Sequence, residues 1–174
     1  CPNLCRETVM AIPLPMSKKQ LADVVSCYAT MFPDWEIFGG VGFFRVQGPI
    51  RQQIAFELLP SGAYRPSNGI RALPLPTSRM LFQHLDVRHR QVLLKQHDSR
   101  WREVVGAMEQ QFEPAIRKPI DVGEVAALCE REARNATNDL AMLAILYAWL
   151  GRNDQAIDCC RRMEQAPAPT LAPR

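Results

Sequence analysis

The chain has 174 residues, 47% of them hydrophobic, and a formal net charge of +3. Such a chain makes one domain, or one domain with a small appendage, around a real core; it is too weakly basic to argue for nucleic acid, and contains no apolar run as long as a membrane span. Its mean hydropathy of −0.16 fits the same class.

Residues 1–16 are dotted with proline and unpatterned, and are expected to be irregular. The sequence opens on Cys1, while Met16-Ser17-Lys18-Lys19 reads as a natural start; lipid attachment through Cys1 is a minor alternative to a cytoplasmic protein. Ser17 and Gln20 have capping-box spacing, and Leu21, Val24, Val25, Tyr28 and Phe32 then form one apolar stripe. That predicts a helix ended by Pro33-Asp34. Residues 36–46 (EIFGGVGFFRV) read as one strand, with Ile37, Val41 and Phe43 on one face and Phe38, Phe44 and Val46 on the other. After the turn Gln47-Gly48-Pro49, Ile50, Ile54, Phe56 and Leu58 alternate with Arg51, Gln53 and Glu57, so the two strands predict a β-hairpin. A third strand over 64–73 is interrupted by Pro66, Asn68 and Gly69. Pro74-Leu75-Pro76 is a candidate boundary between a β-rich and a helical half.

Thr77 or Ser78 is expected to cap a helix that turns Met80, Leu81 and Leu85 inward. Residues 87–96 fit either a strand or a helix. Asp98 or Ser99 is then expected to cap a helix with the stripe Trp101, Val104, Val105, Met108 and Phe112, ended by Pro114. Arg117-Lys118-Pro119 links it to the last helices. Asp121 and Glu124 have capping-box spacing ahead of Val122, Val125, Ala126 and Cys129. Leu140, Leu143, Ala144 and Tyr147 recur at helical spacing, Gly151 marks a tight stop, and Asn153 or Asp154 can cap a helix with Ala156, Ile157, Cys160 and Met163 inward. Pro167 and Pro169 end it.

This last pair, residues 139–167, resembles a single tetratricopeptide repeat. Ala144 and Ala156 stand at the repeat's small-residue positions, Tyr147 at its aromatic position and Gly151 at its turn. Met163 departs from the pattern, where a small residue is usual. The resemblance implies two closely approaching antiparallel helices and a protein-binding role. One copy does not make a solenoid, which needs about three units, so an αα-hairpin packed on its own domain is expected. The whole reads as α+β: an N-terminal helix on a small antiparallel sheet, then a helical half ending in that hairpin. The expected divisions are an irregular 1–16, an α+β domain at 17–118, a helical subdomain at 119–165 and a disordered tail at 166–174.

The six cysteines contain no C-x-x-C pair and read as reduced thiols, Cys27 and Cys129 on apolar faces. Gly39-Gly40-Val41-Gly42 lacks the spacing and the following Gly-Lys of a phosphate loop, so it reads as a bulge or a close crossing. His84, His89 and His97 are spaced by five and eight, which matches no metal-binding pair, and no metal or cofactor is expected. Arg79, Arg88, Arg90, Lys95, Arg100 and Arg102 make 79–102 the basic stretch of the chain. Asp86, Asp98 and Glu103 dilute it, and nucleic-acid binding there is the weakest reading.

No catalytic constellation is present. The first functional expectation is therefore a non-catalytic protein-interaction module of bacterial type, an adaptor or a toxin-neutralising immunity-like protein. Trp149, Arg152 and Arg161 are its candidate contact residues and another protein its partner. The alternative is a small-molecule-binding protein or enzyme with a pocket lined by His84, His89, Arg90 and Trp101.

Overall fold

The computed structural model describes residues 16–73, 80–132 and 137–165. It begins with helix α1 (Lys18–Ala29), whose start is the expected capping box: Gln20 N donates to Ser17 Oγ at 3.2 Å, and Ser17 N donates to Gln20 Oε1 at 2.9 Å. Strands β1 (Glu36–Phe38), β2 (Gly42–Gln47), β3 (Ile50–Leu58), β4 (Ala63–Ala72) and β5 (Leu81–His84) follow as an antiparallel sheet in chain order. A short β6 (Val92–Leu93) pairs with β4 beside β5. Helices α2 (His97–Gln111), α3 (Val122–Glu132), α4 (Thr137–Trp149) and α5 (Asn153–Gln165) complete the α+β fold.

Four local expectations are corrected. Residues 36–46 are two strands, because Gly39 and Gly40 both take positive φ (56° and 65°) and close a tight turn, with Val41 N bonded to Phe38 O. At Gly40 a Cβ would stand 3.1 Å from Ala22 Cβ, so the same turn also touches α1. Leu81 belongs to strand β5 and not to a helix, since pairing with β4 overrides the local pattern; Thr77 and Ser78 lie outside the described residues. Helix α2 starts before Asp98 and Ser99. A 3₁₀ turn at Leu94–Gln96 feeds it, and Gln96 is its N-cap without a side-chain bond. In α5, Ile157 and Cys160 are exposed, and the inward residues are Ala156, Cys159 and Met163.

Pro66 sits inside β4 at a place that tolerates it. Phe56, its partner on β3, sends its N–H to Val41 on the β2 side. The Phe56–Pro66 pair is therefore a non-hydrogen-bonded one, and the proline nitrogen faces the other flank of β4. There it falls between Ala63–Tyr64, paired with β6, and Ser67–Ile70, paired with β5.

All helices draw their sheet contacts from one face. At one end α1 and α2 cover Phe43, Ile54, Phe56, Tyr64 and Val92. At the other end α3, α4 and α5 cover Ile50, Ile70 and Ala72. A polar seam crosses the sheet between these two clusters. Arg45 Nη2 donates to Gln52 Oε1 (2.8 Å) and to Ala115 O (3.1 Å). Gln52 Nε2 donates to Asn68 Oδ1 (3.2 Å) and Pro114 O (2.9 Å). Asn68 Nδ2 donates to Gln83 Oε1 (3.0 Å) and Glu113 O (3.1 Å). Gln52 and Asn68 are fully buried, and the seam satisfies them by binding the backbone that joins α2 to α3.

The first cluster holds one further polar chain. Tyr28 Oη lies 3.0 Å from Tyr64 Oη, which lies 2.9 Å from His97 Nδ1. Burial pushes Tyr64 up to about 12 and pushes His97 below its ordinary value, Asp98 opposing the latter. A histidine whose folded pKa is depressed contributes fully above the unfolded value of about 6.5, and its contribution falls as pH drops through that value, because the unfolded chain then binds the extra proton. The melting temperature is accordingly expected to fall between pH 7.5 and pH 5, and His97→Asn to shrink that fall. His84, also depressed by desolvation and by Arg65 and Arg90, accounts for part of the remainder. A variant retaining the whole wild-type fall would clear His97 of this role.

Candidate functional site

The C-terminal helices build the site from local signals. Asp121 Oδ1 accepts from Gly123 N (2.7 Å) and Glu124 N (3.0 Å), which starts α3. Gly151, at φ 71°, ends α4. Arg152 N reaches Tyr147 O (2.8 Å) and Gly151 N reaches Ala148 O (3.1 Å), the paired bonds of a Schellman stop. The chain then reverses into α5, which packs along α4. Ala144 and Ala156 are both buried in this hairpin.

A groove of about 590 Å³ runs between α3, α4 and α5. Leu140, Leu143 and Cys159 give it an apolar floor; Glu130, Asp154, Asp158 and Arg162 give it charged walls. Tyr147 spans the two, donating its hydroxyl to Glu130 Oε1. Burial, then the bond to Glu130, raises the Tyr147 phenol to about 12, so it stays a donor at every physiological pH. Arg162 pairs with Asp158 at 3.8 Å. Among the described lining residues the walls thus carry three acids and one base, a net acidic lining, with Arg152 acting on Tyr147 from outside it.

The candidate contact residues surround this groove unevenly. Trp149 is 61% exposed, and its ring lies against the β2–β3 turn, 3.3 Å from where a Cβ on Gly48 would stand. It is both a cover for that turn and an open aromatic surface. Arg152 and Arg161 are exposed but do not line the groove; their place there is taken by Arg162. Sequence reasoning missed Glu130, Asp154, Asp158 and Arg162. The signal was present, since Asp154, Asp158 and Arg162 recur every four residues along one stripe of α5.

His84, His89, Arg90 and Trp101 are not brought into one pocket. His84 lies on the face of β5 turned away from the helices, with Arg65 and Arg90 acting on it. His89 is held in a surface cluster, Nδ1 at 2.8 Å from Asp86 Oδ1 and Nε2 at 3.0 Å from Glu103 Oε1. That bonding keeps both carboxyls below the usual range. Trp101 is buried beside Tyr28 in the first cluster. The basic stretch is partly neutralised by the same cluster: Arg88 and Arg100 approach Glu103 at 3.2 and 3.6 Å.

A second, smaller cleft of about 440 Å³ lies between the end of α2 and α3, with Phe112, Leu128, Glu113 and Arg131 in its lining. Among the described residues no group of three or more His, Cys, Asp and Glu is placed to hold a metal, and Cys27, Cys129, Cys159 and Cys160 are free thiols. No described helix is long and apolar enough to cross a membrane. Compared with known proteins, the chain matches no family model, no curated protein and no solved structure.

Proposed function

We propose that the chain is a non-catalytic protein-interaction module whose acidic groove between α3, α4 and α5 takes a basic, partly apolar segment of another protein. The observation that carries this reading is the groove's lining: leucines on the floor, and Glu130, Asp154 and Asp158 on the walls, with Arg162 as the one base among the described lining residues. Apolar floors with charged rims give affinity from the floor and partner choice from the rim. The resemblance of the hairpin to a tetratricopeptide repeat, with Ala144 and Ala156 buried at the repeat's small-residue positions, supports the same use. Trp149, half open beside the β2–β3 turn, and the exposed Arg152 and Arg161 are candidates for the margin of the contact. An adaptor and a toxin-neutralising protein are the two roles such a surface suits, and free thiols suit a reducing, cytoplasm-like compartment.

The test is a selection of random 12-residue peptides on the purified chain, followed by titration of the winners. Enrichment of Lys and Arg beside Leu, Ile or Phe is expected. The affinity of the winners should fall about tenfold in Asp158→Lys, in line with the typical cost of reversing a charge next to a bound cation. Trp149→Ala should weaken binding less. Winners without a basic bias, or winners indifferent to both Asp154→Lys and Asp158→Lys, would sink the proposal.

A further inference from the structure

The groove between α3, α4 and α5 has a direction, and that direction restricts what it takes. Its described lining comes from these three helices and offers no sheet edge for an extended segment to pair with. Gln155 is the one amide side chain in that lining. A segment laid extended over Leu140, Leu143 and Cys159 would leave main-chain N–H and C=O groups unpaired against an apolar floor, whereas a helix satisfies its own. The volume of about 590 Å³ has room for a row of side chains and not for a whole helix of about 10–12 Å diameter. A helix would therefore lie along the groove and lower one stripe into it.

The α5 wall is graded in charge. Asp154, Asp158 and Arg162 follow one another at single-turn intervals, about 6 Å of rise each. The Asp158 and Arg162 side chains are 64% and 45% exposed, and their 3.8 Å approach is a surface pair of small worth, open to sharing with a partner's charges. On the α3 wall Tyr147 holds Glu130 in place.

A helix antiparallel to α5 answers this order with an acid opposite Arg162, a base opposite Asp158 and a base opposite Asp154. Read from its own N-terminus, that is acid, base, base at every fourth residue. The order also suits the partner helix itself. Acid early and base late match its macrodipole, and an acid four residues ahead of a base is the better arrangement of the pair. A parallel helix would need base, base, acid and would lose on both counts. A second copy of this chain, laying its own α5 antiparallel here, would set two Asp158 side chains face to face, so the occupant is a different protein. Resting on the groove reading above, we infer that the partner segment is an amphipathic α-helix, seated antiparallel to α5, with an acid-base-base stripe and large apolar residues lowered onto Leu140, Leu143 and Cys159.

Fluorescence anisotropy with three labelled alanine-based peptides tests this, with the basic peptides selected above as reference. The forward peptide carries Glu, Lys and Lys at every fourth position and a leucine before each lysine. The reversed peptide carries Lys, Lys and Glu with its leucines kept, and the third is the forward peptide broken by a central proline. The forward peptide is expected to bind at least about tenfold more tightly than either of the others, and to gain helical circular dichroism on binding. In Arg162→Glu, an exposed change that should leave the melting temperature within about 2 °C, the preference for forward over reversed should disappear. Tight binding of the reference peptides, with the forward peptide no better than the reversed or the broken one, would overturn this inference and leave the groove reading standing. If neither the reference peptides nor the forward peptide bind, both readings fall. A forward preference that survives Arg162→Glu would overturn the antiparallel seating, and sedimentation of the chain as a dimer that Asp154→Lys breaks would put a second copy in the groove instead.

Discussion

Gly42→Ala is expected to prevent the protein from folding, or to destabilise it by more than about 4 kcal/mol, the range reserved for severe core damage. Gly42 lies in a regular stretch of β2 opposite Ala55, so the strain is not conformational. The cause is space. A Cβ built there would stand 2.2 Å from Ile54 O and 3.0 Å from Ala55 Cα. Both are backbone atoms of the neighbouring strand, and a packed sheet cannot yield by that much without opening the β2–β3 ladder. Gly106→Ala is the control. Nothing lies within 4 Å of a Cβ on Gly106, which sits inside α2, so this change should stabilise by up to about 1 kcal/mol. Urea unfolding of both variants is the measurement. A Gly42→Ala protein within about 1 kcal/mol of the wild type would mean that the first hairpin does not approach β3 this closely.

The second large effect is expected at the seam. Asn68→Ala removes an acceptor from the fully buried Gln52 and two donor bonds of the fully buried Asn68, to the half-buried Gln83 and to Glu113 O. Each buried group left without a partner costs about 1–3 kcal/mol, so a loss of about 3 kcal/mol is expected. For a chain of this size that is a drop of about 6–12 °C in melting temperature. Gln52→Ala should cost a similar amount, since it frees Arg45 and Pro114 O as well as Asn68. The double variant should cost less than the sum, because both changes break the same network. Strict additivity in calorimetry would show that the two amides act independently.

The elements with a clean period were legible in the sequence. Ser17, Gln20 and the stripe Leu21 to Phe32 stood for α1, and the alternation around Ile54 stood for β3. The stripe from Trp101 to Phe112 marked α2 but misplaced its start, because a 3₁₀ turn, not Asp98, leads into it. Residues 36–46 deceived because two glycines inside an apolar run look like a bulge as easily as a turn, and only positive φ at both decides. Leu81 to His84 carry no strand pattern of their own; the partner β4 makes them a strand. Ile157 and Cys160 were exchanged for Cys159 because a face defined by three or four residues fixes a helix's rotation only to within one position. The acidic groove was half legible, through Tyr147 and the α5 stripe, but Glu130 comes from another helix and only tertiary packing delivers it.

The seam also divides the molecule as a cooperative system. Two apolar clusters rest on one sheet face, and the row between them is held by directional bonds that tolerate little displacement. The α3–α5 layer can therefore detach from Ile50, Ile70 and Ala72 while Phe43, Ile54 and Phe56 remain covered. Amide hydrogen exchange should then resolve two opening energies, the lower one shared by α3, α4 and α5. The tryptophans report on the two halves separately: Trp35 and Trp101 are buried in the first cluster, and Trp149 caps the turn beneath the second layer. A partner that seats itself in the groove would tighten the looser half alone, so its binding would be recorded as slowed exchange on one side of the sheet and silence on the other.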